Sequence, residues 1–374
     1  MNDDFLAPTL AHLEWLVAAP TENPPKRIDE SGILDRITRE LGAGFEVDFV
    51  DLGDGSFNLF ARRGAPRILW NFHLDTVPAA PDWDGSPFAL RVEVDRARAV
   101  GLGACDIKGA VAAMLTAVQR TKGDVALLFS TDEEAGKGRC IAAFLERGLS
   151  FDGVVVAEPT KGHAVLAHRG IGTASGRFRG EAGHASRADA LSASATHEAI
   201  RWGAAALAHA EASMTKPSES SNAALSGLRF NLGRIEGGEK PNVVAAEARV
   251  RFGVRPPPGV LPQEAVAQFQ SLAPRAERVD WEPGFFGSAL PAGSADTADL
   301  LRASGEALAA RLGLPLGPAV DFWTEAALFS ARGYAAIVYG PGDIAQAHTQ
   351  NEWVALTELA RAAATYHKLL AHPH

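Results

Sequence analysis

Arg67-Ile68-Leu69-Trp70-Asn71-Phe72-His73-Leu74-Asp75-Thr76-Val77-Pro78 is the stretch that decides the fold. Residues 67–72 are a short, mostly apolar run, and a proline follows soon after, which is how a buried strand reads. His73 and Asp75 therefore stand where that strand ends. The pattern recurs along the chain. Val125-Ala126-Leu127-Leu128-Phe129 leads into Asp132-Glu133-Glu134, and Val154-Val155-Val156 leads into Glu158. Ala335-Ala336-Ile337-Val338-Tyr339 leads into a Gly/Pro loop and His348. Functional groups in α/β sheets gather at the carboxyl ends of strands. Four strand ends carrying His, Asp and Glu point to a metal site assembled from distant parts of the chain.

Around these runs the apolar spacing becomes helical. Leu6, Leu10, Leu13, Trp15, Leu16 and Val17 predict a helix over 5–18, and similar faces predict helices over 28–41, 108–120, 140–147, 297–312 and 355–370. Residues 45–50 alternate as a half-buried strand. Strands alternating with helices predict an α/β fold: a mixed, mostly parallel sheet flanked by helices. The character changes near residue 171. A strand over 172–180, a long Ala-rich helix over 192–212 and a polar loop over 213–226 come first. Strands over 228–235 and 243–254 follow, joined by the Gly237-Gly238 turn, then Pro256-Pro257-Pro258-Gly259 and a further helix and strand to about Phe285. This strand–helix–strand–strand–helix–strand order predicts an inserted α+β, ferredoxin-like domain at 172–285. His348 follows the insert, whereas His73 and the acids precede it. If they share a site, 1–171 and 286–374 form one discontinuous domain.

The chain has 374 residues, enough for two domains, and 47% of them are hydrophobic, ordinary for a globular core. Its formal charge of −9 argues against a nucleic-acid or anionic-membrane partner. Two cysteines make no disulfide framework, Met1-Asn2-Asp3-Asp4 lacks the order of a signal peptide, and no apolar run reaches membrane-spanning length. The expectation is a soluble, cytoplasmic protein.

A hydrolytic metal site needs imidazoles and carboxylates around divalent ions, and in a two-metal site a carboxylate can span the gap. His73, Asp106, Glu134, Glu158 and His348 are the candidate ligands. Asp75 is a candidate to fix the tautomer of His73, and Glu133 to act as general base toward the attacking water. Taken singly, each has an ordinary reading. A His-x-Asp is commonly a structural hydrogen bond, Glu133-Glu134 suits a helix N-terminus, Glu158 before Pro159 suits a solvated turn, and His348 suits the surface. The weight lies in the combination.

The combination resembles the M20 family of metallopeptidases and deacylases. The matching segments are HLDTVP (73–78), GLGACDIKGA (101–110), STDEEAG (130–136), AEPT (157–160), GHAS (183–186) and GPGDIAQAHTQNEWV (340–354). The resemblance implies that His73 and Glu158 hold one ion, Glu134 and His348 the other, and Asp106 bridges them. It implies two divalent ions, zinc first, with cobalt or manganese as alternatives, and a cis Asp106-Ile107 bond. One departure is Leu102, where many relatives carry a polar residue.

The resemblance further implies that the insert is a lid and dimerisation domain. In that homodimer His184 would reach across the interface to polarise the scissile carbonyl, and Asn242 would approach the partner's site. Arg169 and Arg255 are candidates for a substrate carboxylate, and Thr324 and the backbone at Gly340 match positions lining the site. Within the family, VDFWTEAALFSA (320–331) and neighbouring segments look most like the acetylornithine deacetylase group, including its acetylcitrulline branch. The implied activity is removal of acetyl from a small N-acetylated amino acid, acetylcitrulline first. Acetylornithine or a dipeptide is the alternative substrate, and a non-catalytic metal-bound binding module the alternative class.

Overall fold

The computed structural model describes residues 3–25, 28, 31–136, 138–214 and 225–372. Strands β1 to β7 are Glu46–Asp51, Phe57–Arg63, Ile68–His73, Arg91–Glu93, Arg98–Val100, Val125–Ser130 and Gly153–Val156. Strands β8 to β15 are Ile171–Arg179, Gly183–His184, Arg229–Gly237, Val243–Val244, Glu247–Arg255, Val279–Gly287, Ala336–Val338 and Trp353–Ala355. Helices α1 to α5 are Asp3–Ala18, Ile33–Leu41, Lys108–Gln119, Arg139–Leu145 and Ala190–Ala193. Helices α6 to α10 are Ala195–Met214, Pro262–Gln270, Ala295–Arg311, Ala326–Ala331 and Leu356–Ala371.

The chain divides into two compact units. Met1–Leu166, Leu301–Pro318 and Thr324–His374 make the first, and Ala167–Leu300 with Ala319–Trp323 the second.

The first unit is built on a six-stranded sheet in the order β1-β2-β6-β3-β7-β14. β6, β3, β7 and β14 run parallel, and β2 and β1 continue the sheet antiparallel. Every residue of β3, β6 and β7 is buried, which is why these strands read as unbroken apolar runs. Because the four are parallel, their carboxyl ends share one edge. Helix α3 is buried from Lys108 to Val118, and its alanines allow close packing against both α1 and α10. A small sheet, β15-β5-β4, ties residues 91–100 to 353–355.

The second unit is an antiparallel sheet in the order β10-β12-β8-β13. Its apolar face meets α6 and α7 around Trp202, Phe252 and Phe269. Its chain order is the ferredoxin-like one expected from the sequence.

Several expectations are corrected in detail. β1 is a mostly exposed edge strand, so its alternation does not mark a half-buried face. The second helix starts at Ile33, after a turn at Ser31-Gly32. Part of its expected beginning, 29–30, and most of the expected polar loop, 215–224, lie outside the described residues. Val243-Val244 does not begin the long strand. It pairs with Gly183-His184 in a separate ribbon, and the main strand starts at Glu247. β2, β4, β5 and β15 were not expected.

Candidate metal centre

The carboxyl ends of β3, β6, β7 and β14 lead directly to the candidate ligands. His73 ends β3 and is buried. Its Nδ1 lies 3.0 Å from the main-chain oxygen of Asp75, and its Nε2 lies 3.0 Å from Asp106 Oδ1 and 3.9 Å from Glu158 Oε1. With Nδ1–H donated to a carbonyl, Nε2 is left as the ligating atom. His348 Nε2 lies 2.8 Å from Glu134 Oε1 and 3.3 Å from Asp106 Oδ2. The ligand atoms therefore form two groups, His73–Asp106–Glu158 and Asp106–Glu134–His348. The two oxygens of Asp106 face different histidines, so one carboxylate belongs to both groups. The Asp106-Ile107 peptide bond is cis, as the resemblance implies.

The expected role of Asp75 changes in detail. Its main-chain oxygen, not its carboxylate, makes the closer contact to His73, since Oδ1 is 3.6 Å away. Oδ2 accepts the main-chain N–H of Glu134 at 2.9 Å. Asp75 thus connects the loop after β3 to that after β6. Asp132, in the same loop, accepts the N–H groups of Arg139 and Cys140 and so caps α4. It is Asp132, not the Glu133-Glu134 pair, that serves the helix terminus.

The acids suit a bound cation. Glu158 is 4% exposed and makes no hydrogen bond among the described residues, and Asp75 Oδ1 is likewise buried without a partner. Burial, with Asp106 close by, pushes the Glu158 carboxyl well above its ordinary range. Burial also raises Asp106, but hydrogen bonds from His348 and His73 outweigh it and hold this carboxyl below its usual value. Contacts with Asp106 and Glu134 raise His348 to about 10. Glu133 is half-buried, and its carboxylate makes no hydrogen bond among the described residues. Burial and the neighbouring Glu134 raise it, with His73, Glu158 and Asp75 near enough to act on its charge. Buried carboxylates that repel one another are costly without a cation. The set of O and N donors, with one shared carboxylate, fits two divalent ions.

The remaining candidates lie elsewhere. His184 ends β9 of the β9–β11 ribbon in the second unit, Asn242 sits in the turn just before β11, and both are exposed. The Ser186 N–H points at His184 Nδ1 from 3.2 Å, which leaves Nε2 as the N–H donor. Arg255 ends β12 and lines a cavity of about 510 Å³ with Arg229, Arg251 and Asn231. Arg169 is corrected: it is wholly buried, and its guanidinium is taken up by Asp321 Oδ1 (2.5 Å), Gly227 O (2.6 Å) and Ser226 O (3.1 Å). It holds its own unit together and does not present itself to a ligand. Gly340 lies beside Glu158, with its own backbone groups in use. Its N–H bonds Thr160 Oγ1, its carbonyl accepts from Gly162, and a Cβ would fall 2.6 Å from Glu158 O. Glycine there lets the chain just after β14 pass close to Glu158. Thr324 is buried, and its hydroxyl accepts the Ala326 N–H at the start of α9.

Two residues were missed. Glu352 is buried and accepts three main-chain N–H groups of the loop that carries Asp106, from Gly103, Cys105 and Asp106 itself. Nothing in the spacing of Asn351-Glu352, three and four residues after His348, marked it. Glu325 is buried beneath the strand ends, accepting from Asn71 on β3 and Ser130 on β6. It stands next to Thr324, which was singled out instead.

Two ligand groups joined through one aspartate, at the carboxyl edge of a largely parallel sheet, define a two-metal hydrolase. Residues 69–372 match the model of peptidase family M20/M25/M40. The chain is 49% identical to the N-acetyl-L-citrulline deacetylase of Xanthomonas campestris pv. campestris, over 99% of this chain and 100% of that protein. It is 30% identical to the acetylornithine deacetylase of Myxococcus xanthus, over 99% and 98%. Among solved structures, the M20 family metallo-carboxypeptidase of Sulfolobus solfataricus shares the fold at a TM-score of 0.75 and 16% identity, covering 97% of this chain and 98% of that one. The chain belongs to peptidase family M20/M25/M40.

Proposed function

We propose that this protein removes the acetyl group from N-acetyl-L-citrulline, a step suited to arginine biosynthesis in the cytoplasm. The observation that carries the reading is end-to-end identity of 49% with a deacetylase of that name, in a chain whose two ligand groups meet through Asp106. His73 and Glu158 would hold one ion, Glu134 and His348 the other, and Asp106 both. Two divalent ions, zinc first, would make a water acidic and polarise the amide carbonyl.

The chain's own residues do the rest. Glu133 takes the proton of the attacking water, whose oxygen bonds to the acetyl carbon. When the carbon–nitrogen bond breaks, Glu133 returns that proton to the amine, leaving acetate and citrulline. The main-chain oxygen of Asp75 holds the His73 tautomer, and its carboxylate holds the Glu134 backbone.

The active form would be a homodimer formed through the second unit. On α6, Ile200, Leu207 and Met214 recur at a seven-residue spacing and are exposed, as is Ile235 on the edge strand β10. Such an apolar stripe suits a second copy. With its Nε2–H outward, the partner subunit's His184 would donate to the oxyanion.

The test is a deacetylation panel on purified, metal-loaded enzyme with acetylcitrulline, acetylornithine and a dipeptide side by side. Highest kcat/KM on acetylcitrulline is expected. A preference for acetylornithine would move the assignment to that activity, and binding without hydrolysis would make the chain a binding module.

A further inference from the structure

Glu325 is 1% exposed, and one of its oxygens is well used. Oε2 accepts from Asn71 Nδ2 at 2.6 Å and from Ser130 Oγ at 2.8 Å. Its other oxygen, Oε1, is buried without a hydrogen-bond partner among the described residues, and so is Asn71 Oδ1. Two orphaned acceptors thus belong to two planar groups already joined by one hydrogen bond. Each buried polar atom left unpaired costs about 1–3 kcal/mol. Acceptors cannot satisfy one another, but a single proton between them satisfies both.

We propose that Glu325 is held as the neutral carboxylic acid, its O–H donating to Asn71 Oδ1, so that acid and amide clasp one another beneath the metal ligands. Asn71 lies two residues before His73 on β3, and Ser130 ends β6, so this clasp fixes the two strand ends from which His73 and Glu134 project. Glu325 is then a positioning residue, acting through Asn71 and Ser130.

The charges around it favour the neutral form. Among the described residues, the ionisable groups that act on it are Asp132 in the loop before α4, Cys140 on α4, His73 at the end of β3 and Glu158 after β7. Burial, then the charge of Asp132, raises the Glu325 carboxyl to about 7.

The experiment compares metal-loaded wild type with Glu325→Gln, Glu325→Asp and Glu325→Ala. Glutamine imitates the acid, since its N–H₂ donates to Asn71 Oδ1 and its carbonyl accepts from Asn71 Nδ2. Glu325→Gln should keep zinc affinity within about threefold in calorimetric titration, while the Asp and Ala variants lose about 10–100-fold, the range typical of residues that orient metal ligands. The infrared difference spectrum between wild type and Glu325→Gln at neutral pH should show the carbonyl stretch of a protonated carboxyl, shifting in D₂O. No such band, or a Glu325→Gln variant that loses zinc as badly as Glu325→Ala, would mean that the residue works as an anion and would overturn the proposal. Both readouts are independent of which acylated amino acid is the substrate.

Discussion

Replacing Glu352 by alanine strikes the loop that carries the shared ligand, and the structure gives the size of the effect. The carboxylate accepts from Cys105 N at 2.8 Å, Asp106 N at 2.9 Å and Gly103 N at 3.0 Å, all buried. Three buried donors left unpaired cost about 3–9 kcal/mol in total at roughly 1–3 kcal/mol each. Against this, alanine removes a charge that burial disfavours. The Glu352 carboxyl is raised from 4.5 to about 7 by burial, then by Asp106, which amounts to roughly 3 kcal/mol of relief above neutral pH. The net loss is on the order of 3 kcal/mol, a large fraction of a typical domain's stability. Glutamine should be milder. It can keep the bonds to Cys105 and Asp106 through one oxygen, and it turns an N–H₂ toward the Gly103 N–H.

Stability alone would show only that Glu352 braces a loop. The sharper consequence concerns Asp106, whose two oxygens serve the two ligand groups. If the loop shifts, both groups loosen, and zinc affinity should fall by about 10–100-fold. Denaturant unfolding of the metal-free variants gives the first quantity, and calorimetric zinc titration gives the second. An alanine variant that unfolds like wild type and binds two ions as tightly would refute the whole argument. One that is destabilised yet binds normally would remove the positioning role.

Glu133→Gln should retain both ions by elemental analysis and lose about 10²–10⁴ in kcat; a wild-type rate would end its assignment as base. His184→Ala should be nearly inactive alone, yet regain activity when mixed and refolded with Glu133→Gln, because a mixed dimer has one intact site. No recovery, or a monomer by light scattering, would exclude action across an interface. Metal removal should expose a pH trend. The folded-state values of Glu325 and Glu352 are raised from 4.5 to about 7, so their contribution favours folding at low pH and is lost as pH rises through 7. That of His348 is raised from 6.5 to about 10, so its contribution is present below 6.5 and lost as pH rises through 10. Two buried bases run the other way: the contribution of His168, lowered to about 4, grows up to pH 6.5, and that of Lys108, lowered to about 7, offsets His348 above pH 7. The raised acids outnumber His168, so the metal-free protein should melt at falling temperature from about pH 4.5 to 7, and zinc should reverse that trend. A rise in melting temperature over that window would contradict the assignment.

Much of this was legible in the sequence, for a physical reason. Parallel strands buried on both faces read as unbroken apolar runs, and their carboxyl ends share an edge, so His73, Glu134, Glu158 and His348 announced themselves by position. β4, β5 and β15 were not legible, because three residues carry no period. β1 misled, since alternation on an edge strand does not imply that either face is covered. Arg169 misled differently. An arginine at a junction reads as a ligand for carboxylates, but only the fold shows its guanidinium spent on Asp321, Gly227 and Ser226. Glu352 and Glu325 were silent because a carboxylate that accepts hydrogen bonds from its own protein leaves no spacing rule.

That silence suggests how to sort the acids of such a site. Asp75 accepts the Glu134 N–H, Asp132 accepts those of Arg139 and Cys140, Glu352 accepts three from the Asp106 loop, and Glu325 accepts from Asn71 and Ser130. The carboxylates of Asp106 and Glu134 find only histidine partners, and Glu158 has no hydrogen bond at all among the described residues. Each acid of the first set is therefore anchored to the fold through at least one oxygen and can set positions before any ion arrives. The second set keeps its lone pairs for an ion and stays costly until one binds. Glu133 belongs to neither set. It has no backbone donor and stands outside both ligand groups, half-buried beside Glu134. A carboxylate that neither braces the loops nor holds an ion has its oxygens free for a proton, and that makes it the acid in this cluster best suited to act as the base.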